Sequence, residues 1–223
     1  MCPAFSAQTP SPKNLLFDLD GTLTDPYEGI SRSVISALAA FGIPEPDRAA
    51  LSAFIGPPLI DSFMEFYGFS RADAERAVKI YRAYFSDKGL FENEVYPGIP
   101  EALEALKRAG KKLYVATAKP EVFAGRILDR FGLSPFFEGL TGSALDGSRS
   151  RKDEVIRCAL DAFSLSPADS VMIGDRKHDI LGAKAHGLFS VGVLYGYGSR
   201  AELEAAGADR LAENPADLVN ILR

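Results

Sequence analysis

The chain has 223 residues, 47% of them hydrophobic and 25% charged, with a formal net charge of −5. That balance excludes a disordered chain, and without a basic block it offers no surface to nucleic acid or to an anionic membrane. Its two cysteines, Cys2 and Cys158, provide no disulfide framework and fit a reducing, cytoplasmic setting, and no apolar run approaches the roughly 20 residues needed to span a bilayer.

The opening MCPAFSAQTPSP lacks a basic segment followed by an apolar one and reads as a loose arm, not a signal peptide. Leu15 to Phe17 is a short apolar strand, and Asp18 and Asp20 follow it one residue apart, ahead of a turn at Gly21-Thr22. Beyond Asp25 the apolar period becomes helical, through Ile30, Val34, Ala37, Leu38 and Phe41, with Gly42 as the stop. The prolines of FIGPPLI interrupt the helices. Ser70 and Asp73 then resemble a capping box ahead of a helix with Ala74, Val78, Tyr81 and Phe85 on one face. From about 25 to 92 the pattern predicts helices alone.

From Val95 onward short apolar strands alternate with amphipathic helices. PEALEALKRAG leads into strand KLYVAT, a helix from Val122 to Phe131 stops at Gly132, and SVMIGD and FSVGVL are further strands. Such alternation predicts right-handed crossovers and a parallel sheet. The expected fold is therefore a doubly wound α/β core, residues 1–24 and 93–223, with an all-helical domain inserted over 25–92 on two short hinges.

Four polar segments fall where strands end or helices begin: DLDGT, VATAKP, SRKDEV and GDRKHD. In an open parallel sheet the crevice beyond the carboxyl ends of the strands can gather them. Asp18, Asp20 and Asp175 offer hard oxygen ligands of the kind that suit Mg²⁺. Thr117 and Lys152 offer a hydroxyl and a compact positive charge, the groups needed around a phosphoryl group. A calcium loop is disfavoured because Leu23 and Asp25 do not continue its acidic ladder. His178 has no Ser or Cys nucleophile motif to serve, His186 reads as an ordinary helix residue, and Cys158 as a small buried apolar one. Asp146 and Asp153 are left open between surface and metal-site readings.

These segments, in this order along the whole chain, resemble the four motifs of the haloacid dehalogenase-type phosphatases. The insertion between the first and second motifs resembles the small helical cap of the subgroup that includes phosphoglycolate phosphatases and β-phosphoglucomutases. The resemblance is closest to phosphoglycolate phosphatase-like proteins and implies an Mg²⁺-dependent phosphomonoester hydrolase acting on a small phosphorylated metabolite. Asp18 would be the nucleophile that becomes an aspartyl-phosphate, and Asp20 the general acid and base. Asp18, the main-chain carbonyl of Asp20 and Asp175 would hold Mg²⁺. Thr117 and Lys152 would bind the phosphoryl oxygens, and Asp179 would orient Lys152 or a metal-bound water. Specificity should lie in the cap, where Tyr27, Arg32, the Pro57-Pro58 loop, Lys79 and Arg82 are the candidates. A 5′-nucleotidase and a phosphomutase are the alternative enzymes, and a phosphoester-binding regulator without turnover is the alternative from another class. Whether the chain is a monomer or a homodimer is not legible.

Overall fold

The structure is a computed structural model that describes residues 12–44 and 46–223. The expected N-terminal arm, with Cys2, lies outside the described residues except for Pro12. Among those described, the main sheet has six strands in the order β5-β4-β1-β6-β7-β8. They are β1 (Asn14–Phe17), β4 (Lys112–Pro120), β5 (Gly139–Ser143), β6 (Ser170–Gly174), β7 (Phe189–Val193) and β8 (Arg210–Ala212), and every pairing is parallel.

Strand β1 is central because all four of its residues are buried and its side chains alternate between two apolar layers. Leu15 and Phe17 join Val115, Val171 and Ile173 on one face. Leu16 joins Tyr114, Ala116 and Met172 on the other. The first face is covered by α4 (Ile99–Arg108), α5 (Glu121–Arg130) and α9 (Pro215–Leu222), through Leu103, Ile127 and Leu218. The second is covered by α6 (Lys152–Ala162) and α7 (Lys177–Ala185), through Val155, Ile156 and Ala183. Each fully buried Leu, Ile or Val contributes about 1.5–3 kcal/mol. The doubly wound α/β core is therefore present as expected. α8 (Arg200–Ala206) packs beside α7.

After β1 the chain moves to β4 and β5 on one side, then returns to β6, β7 and β8 on the other. The order reverses around β1, so the crevice opens at the carboxyl ends of β1, β4 and β6.

Between β1 and β4 lie α1 (Tyr27–Ala39), a 3₁₀ turn (Arg48–Phe54), α2 (Leu59–Tyr67), α3 (Arg71–Tyr84) and one π turn (Phe85–Gly89). Ser70 caps α3 as its sequence suggests, accepting from the Asp73 amide at 3.1 Å. The helical stretch expected over about 25–92 is bounded by a short ribbon that the sequence pattern did not reveal. β2 (Thr24–Asp25) and β3 (Glu94–Val95) pair antiparallel as a two-strand ribbon, so the entry and exit of the insertion are hydrogen-bonded to each other. Among the described residues no helix is long and apolar enough to cross a membrane.

Candidate active site

Asp18 leaves β1 with its amide still bonded to the Ile173 carbonyl of β6 at 2.9 Å, which fixes where its carboxylate emerges. The chain then folds tightly on itself, the amides of Thr22, Leu23 and Thr24 all donating to the Leu19 carbonyl. Gly21 makes this possible. It has φ of 79°, and a Cβ there would lie 2.2 Å from Asp175 Oδ2, so only glycine lets the two strand ends come together.

Lys152 is the first residue of α6, where a cation meets the positive end of the helix dipole, and it is nearly buried at 7% exposure. A placement this unfavourable needs compensating partners. Lys152 Nζ lies 2.8 Å from Asp18 Oδ1, 2.8 Å from Asp179 Oδ1 and 3.1 Å from the Ala116 carbonyl. Its own burial would lower its pKa, but Asp179 and Asp18 outweigh that and raise it, so the ammonium is held charged. Asp179 Oδ2 accepts from the Arg176 amide at 3.0 Å. One ammonium shared between two carboxylates compensates neither fully. Burial therefore still pushes Asp179 up to about 6 despite Lys152, with Asp18 adding to the rise.

Asp175 follows β6 and is 0% exposed. Its Oδ2 accepts from the Tyr197 amide at 2.8 Å, while Oδ1 has no hydrogen-bond partner. Burial, then Asp179 and Asp18, raise its pKa well above the carboxylate range. Carboxylate oxygens of Asp18, Asp175 and Asp179 all lie within 4.8 Å of one another. Three buried acids around one orphaned oxygen are what a hard divalent cation would satisfy, so these residues fit Mg²⁺.

The carboxylate of Asp20 turns away from that cluster. Its Oδ2 is 2.5 Å from Lys119 Nζ, and its Oδ1 is buried without a partner. Burial raises its pKa, with Lys119 opposing. Thr117 Oγ1 accepts from the Lys119 amide at 3.3 Å, which leaves its own proton free to donate. The site thus holds a cation that the sequence reading missed. Lys119 stands two residues after Thr117 on β4, the same spacing that relates Asp20 to Asp18, and that period of two was its signal.

A family profile described as haloacid dehalogenase-like hydrolase matches residues 15–193, a span that contains Asp18, Asp20, Thr117, Lys119, Lys152, Asp175 and Asp179. The chain belongs to that family. It is 55% identical over 192 residues to a 5′-nucleotidase of Pseudomonas aeruginosa, covering 86% of this chain and 87% of the relative. It is 42% identical over 188 residues to the tyrosine-protein kinase PtkA of Mycobacterium tuberculosis, covering 84% of this chain and 64% of that relative's length. Among solved structures, a predicted phosphatase from Clostridium acetobutylicum superposes with a TM-score of 0.91 at 46% identity, over 94% of this chain and 97% of that one.

In this family member a cavity of about 640 Å³ lies between insertion and core. Asp20 and Lys119 form part of its floor, and Phe54, Leu59, Phe85 and Phe123 give it apolar walls. Lys79, Arg82 and Pro58 line it, as does Arg71, which the sequence reading did not single out. Arg82 Nη1 donates to the Leu145 carbonyl at 2.6 Å, and Arg71 pairs with Glu75 at 3.2 Å. Two of the specificity candidates are placed elsewhere. Arg32 is paired with Glu28 at 2.6 Å and Glu92 at 2.8 Å, and Tyr27 donates to the Arg48 carbonyl at 2.5 Å; neither lines the cavity.

His178 is half-buried, its pKa lowered by burial and then by Arg176 and Lys177. His186 Nε2 lies 2.8 Å from the Asp153 carbonyl. Asp153 pairs with Arg151 at 3.0 Å and Asp146 closes its own turn onto Ser148, so neither belongs to the acidic cluster. Cys158 is half-buried and 3.1 Å from Arg149 Nη1, not the fully buried apolar residue expected.

Proposed function

We propose that this chain is an Mg²⁺-dependent phosphomonoester hydrolase acting on a small phosphorylated metabolite, with nucleoside 5′-monophosphates as the first substrate class. The observation that carries the reading is Lys152 Nζ 2.8 Å from Asp18 Oδ1, beside the orphaned oxygen of Asp175. A nucleophile, a fixed positive charge and an anion cluster that needs a cation meet at one strand end. Asp18 and Asp175, with Asp179 in reach and the Asp20 carbonyl as the expected further ligand, would hold Mg²⁺, which would supply charge neutralisation for the phosphoryl group.

Asp18 Oδ1 already accepts from the Leu19 amide at 2.8 Å and from Lys152, so Oδ2 is the oxygen for attack. It bonds to phosphorus as the bond to the leaving alkoxide breaks, and the alkoxide takes the Asp20 proton. Burial favours the protonated Asp20 this step needs. Asp20, now ionised, accepts a proton from water as that water attacks phosphorus and releases Asp18 and inorganic phosphate. Lys152 and Thr117 hold the phosphoryl oxygens through both steps.

The size and apolar walls of the cavity support a leaving group larger than glycolate, as does the 55% identity to a 5′-nucleotidase. Phosphate release measured across nucleoside monophosphates, sugar phosphates, phosphoglycolate and phosphotyrosine tests this. Turnover should vanish with EDTA and fall at least about 10³-fold in Asp18→Asn, with nucleoside monophosphates giving the highest kcat/KM. No turnover by the wild type on the panel would overturn the hydrolase reading, and a preference for phosphoglycolate would overturn the substrate class.

A further inference from the structure

The side chain of Arg176 reaches from the core to the insertion. Nη1 donates at 2.6 Å to the carbonyl of Ile55, 121 positions away in the FIGPPL loop of the insertion. The guanidinium is not loosely placed. Nε lies 3.0 Å from Glu202 Oε1 on α8, and the same oxygen accepts from the Lys177 amide at 2.8 Å. Arg176 and Glu202 side chains are 16% and 22% exposed, so the pair is partly shielded, and a charged donor on a neutral carbonyl is among the stronger hydrogen bonds.

The residue after Ile55 is shaped for this contact. Gly56 has φ of 104°, and a Cβ there would lie 3.1 Å from Arg176 Cγ and 3.4 Å from Nη1. A side chain there would be strained at that φ and would crowd the arginine by a few tenths of an ångström. Gly56 and Pro58 both line the cavity, and two successive prolines stiffen the loop, so where Arg176 holds Ile55 sets where that wall stands. The other end of Arg176 is tied to the chemistry, because its amide donates to Asp179 Oδ2 at 3.0 Å and it directly follows Asp175.

We propose that Arg176, braced by Glu202, is a positioning residue that latches the Ile55–Pro58 loop over the phosphoryl site, so that the wall meeting the leaving group is registered to the acidic cluster. This rests on the hydrolase reading for its kinetic consequence but not for the contact itself. Arg82 on Leu145 and Arg126 on Ser86, at 2.6 and 3.1 Å, also clamp carbonyls across the seam. Arg176 alone of the three follows a residue of the acidic cluster.

The test compares Arg176→Lys and Glu202→Gln with wild type on a nucleoside monophosphate, whose leaving group is large, and on acetyl phosphate, whose leaving group is small. Arg176→Lys should lower kcat/KM for the nucleotide about 10–100-fold and for acetyl phosphate less than about threefold, with the Mg²⁺ concentration for half-activity unchanged. Glu202→Gln should give the same selective loss, smaller. Hydrogen exchange, which needs no turnover, should speed up at least about tenfold across residues 54–62 and stay unchanged in strand β6. Equal loss on both substrates with a raised Mg²⁺ requirement would assign Arg176 to the metal cluster and overturn the latch. Unchanged exchange in the loop would overturn it whatever the kinetics, and if wild type turned over neither substrate the hydrolase reading would fail while exchange still decided the latch.

Discussion

Asp175 is held by one amide, from Tyr197, and repelled by two carboxylates, so without a cation its charge works against folding. A carboxyl whose folded pKa lies above its unfolded value binds more protons when folded, and stability then falls as pH rises through that window. With Asp179 at about 6 against an ordinary 3.8, the metal-free protein should gain stability as pH drops from 7 toward 5. Asp175→Asn should raise the EDTA melting point at pH 7, by an increment equivalent to about 1–3 kcal/mol. Mg²⁺ at a hundred times its Kd should stabilise wild type by about 2.7 kcal/mol and the variant scarcely at all. Thermal melts with EDTA and with Mg²⁺ check both, and a variant less stable than wild type in EDTA would show that the site does not store this repulsion. Asp18 and Asp175 were legible from strand-end position and Lys152 from its place at a helix start, while Asp179 came only with the family resemblance. Arg176 was not legible, because its partner is 121 residues distant and no local pattern encodes that meeting.

At the scale of elements, sequence patterns located those whose burial is periodic and passed over those whose signal is small. β5 reads GLTGS, with two glycines and one large apolar residue, and β8 has three residues. Neither carries the alternation that marks a strand, and both are in the sheet because a neighbour offers its backbone edge. The β2-β3 ribbon is likewise held by pairing between distant segments. The face of α3, by contrast, was legible through Tyr81 and on to Phe85. Phe85 is where the insertion meets the core: its ring stacks on Tyr81 at 5.4 Å, meets Phe123 of α5 edge-on at 5.7 Å, and lies under Lys119 Nζ at 4.5 Å. Phe85→Ala should cost about 3–5 kcal/mol through lost burial and the cavity left behind, read as a shift in urea midpoint. A loss below about 1 kcal/mol would mean that the seam is not packed as described.

Over the whole molecule the charge is −5, which repels a phosphate dianion, so attraction has to be local. Most cations around the cavity are already engaged. Arg71 faces Glu75, Lys119 faces Asp20, and Arg151 faces Asp153. Arg82 gives one donor to a neutral carbonyl, which leaves its charge uncancelled. Lys79, exposed on α3 one turn before Arg82, lines the same cavity. These two line the same cavity as Asp20 and Lys119 but stand on the insertion, on α3. Charges acting across solvent are screened within about 8–10 Å at moderate ionic strength, so their effect should lie in capture and not in the chemical step. Lys79→Gln should therefore raise KM for an anionic substrate about 3–10-fold with kcat within twofold. It should also flatten the fall of kcat/KM as KCl is raised from low to high concentration. Equal salt dependence in variant and wild type would remove Lys79 from substrate capture and leave Arg82 and the metal site to draw the phosphate in.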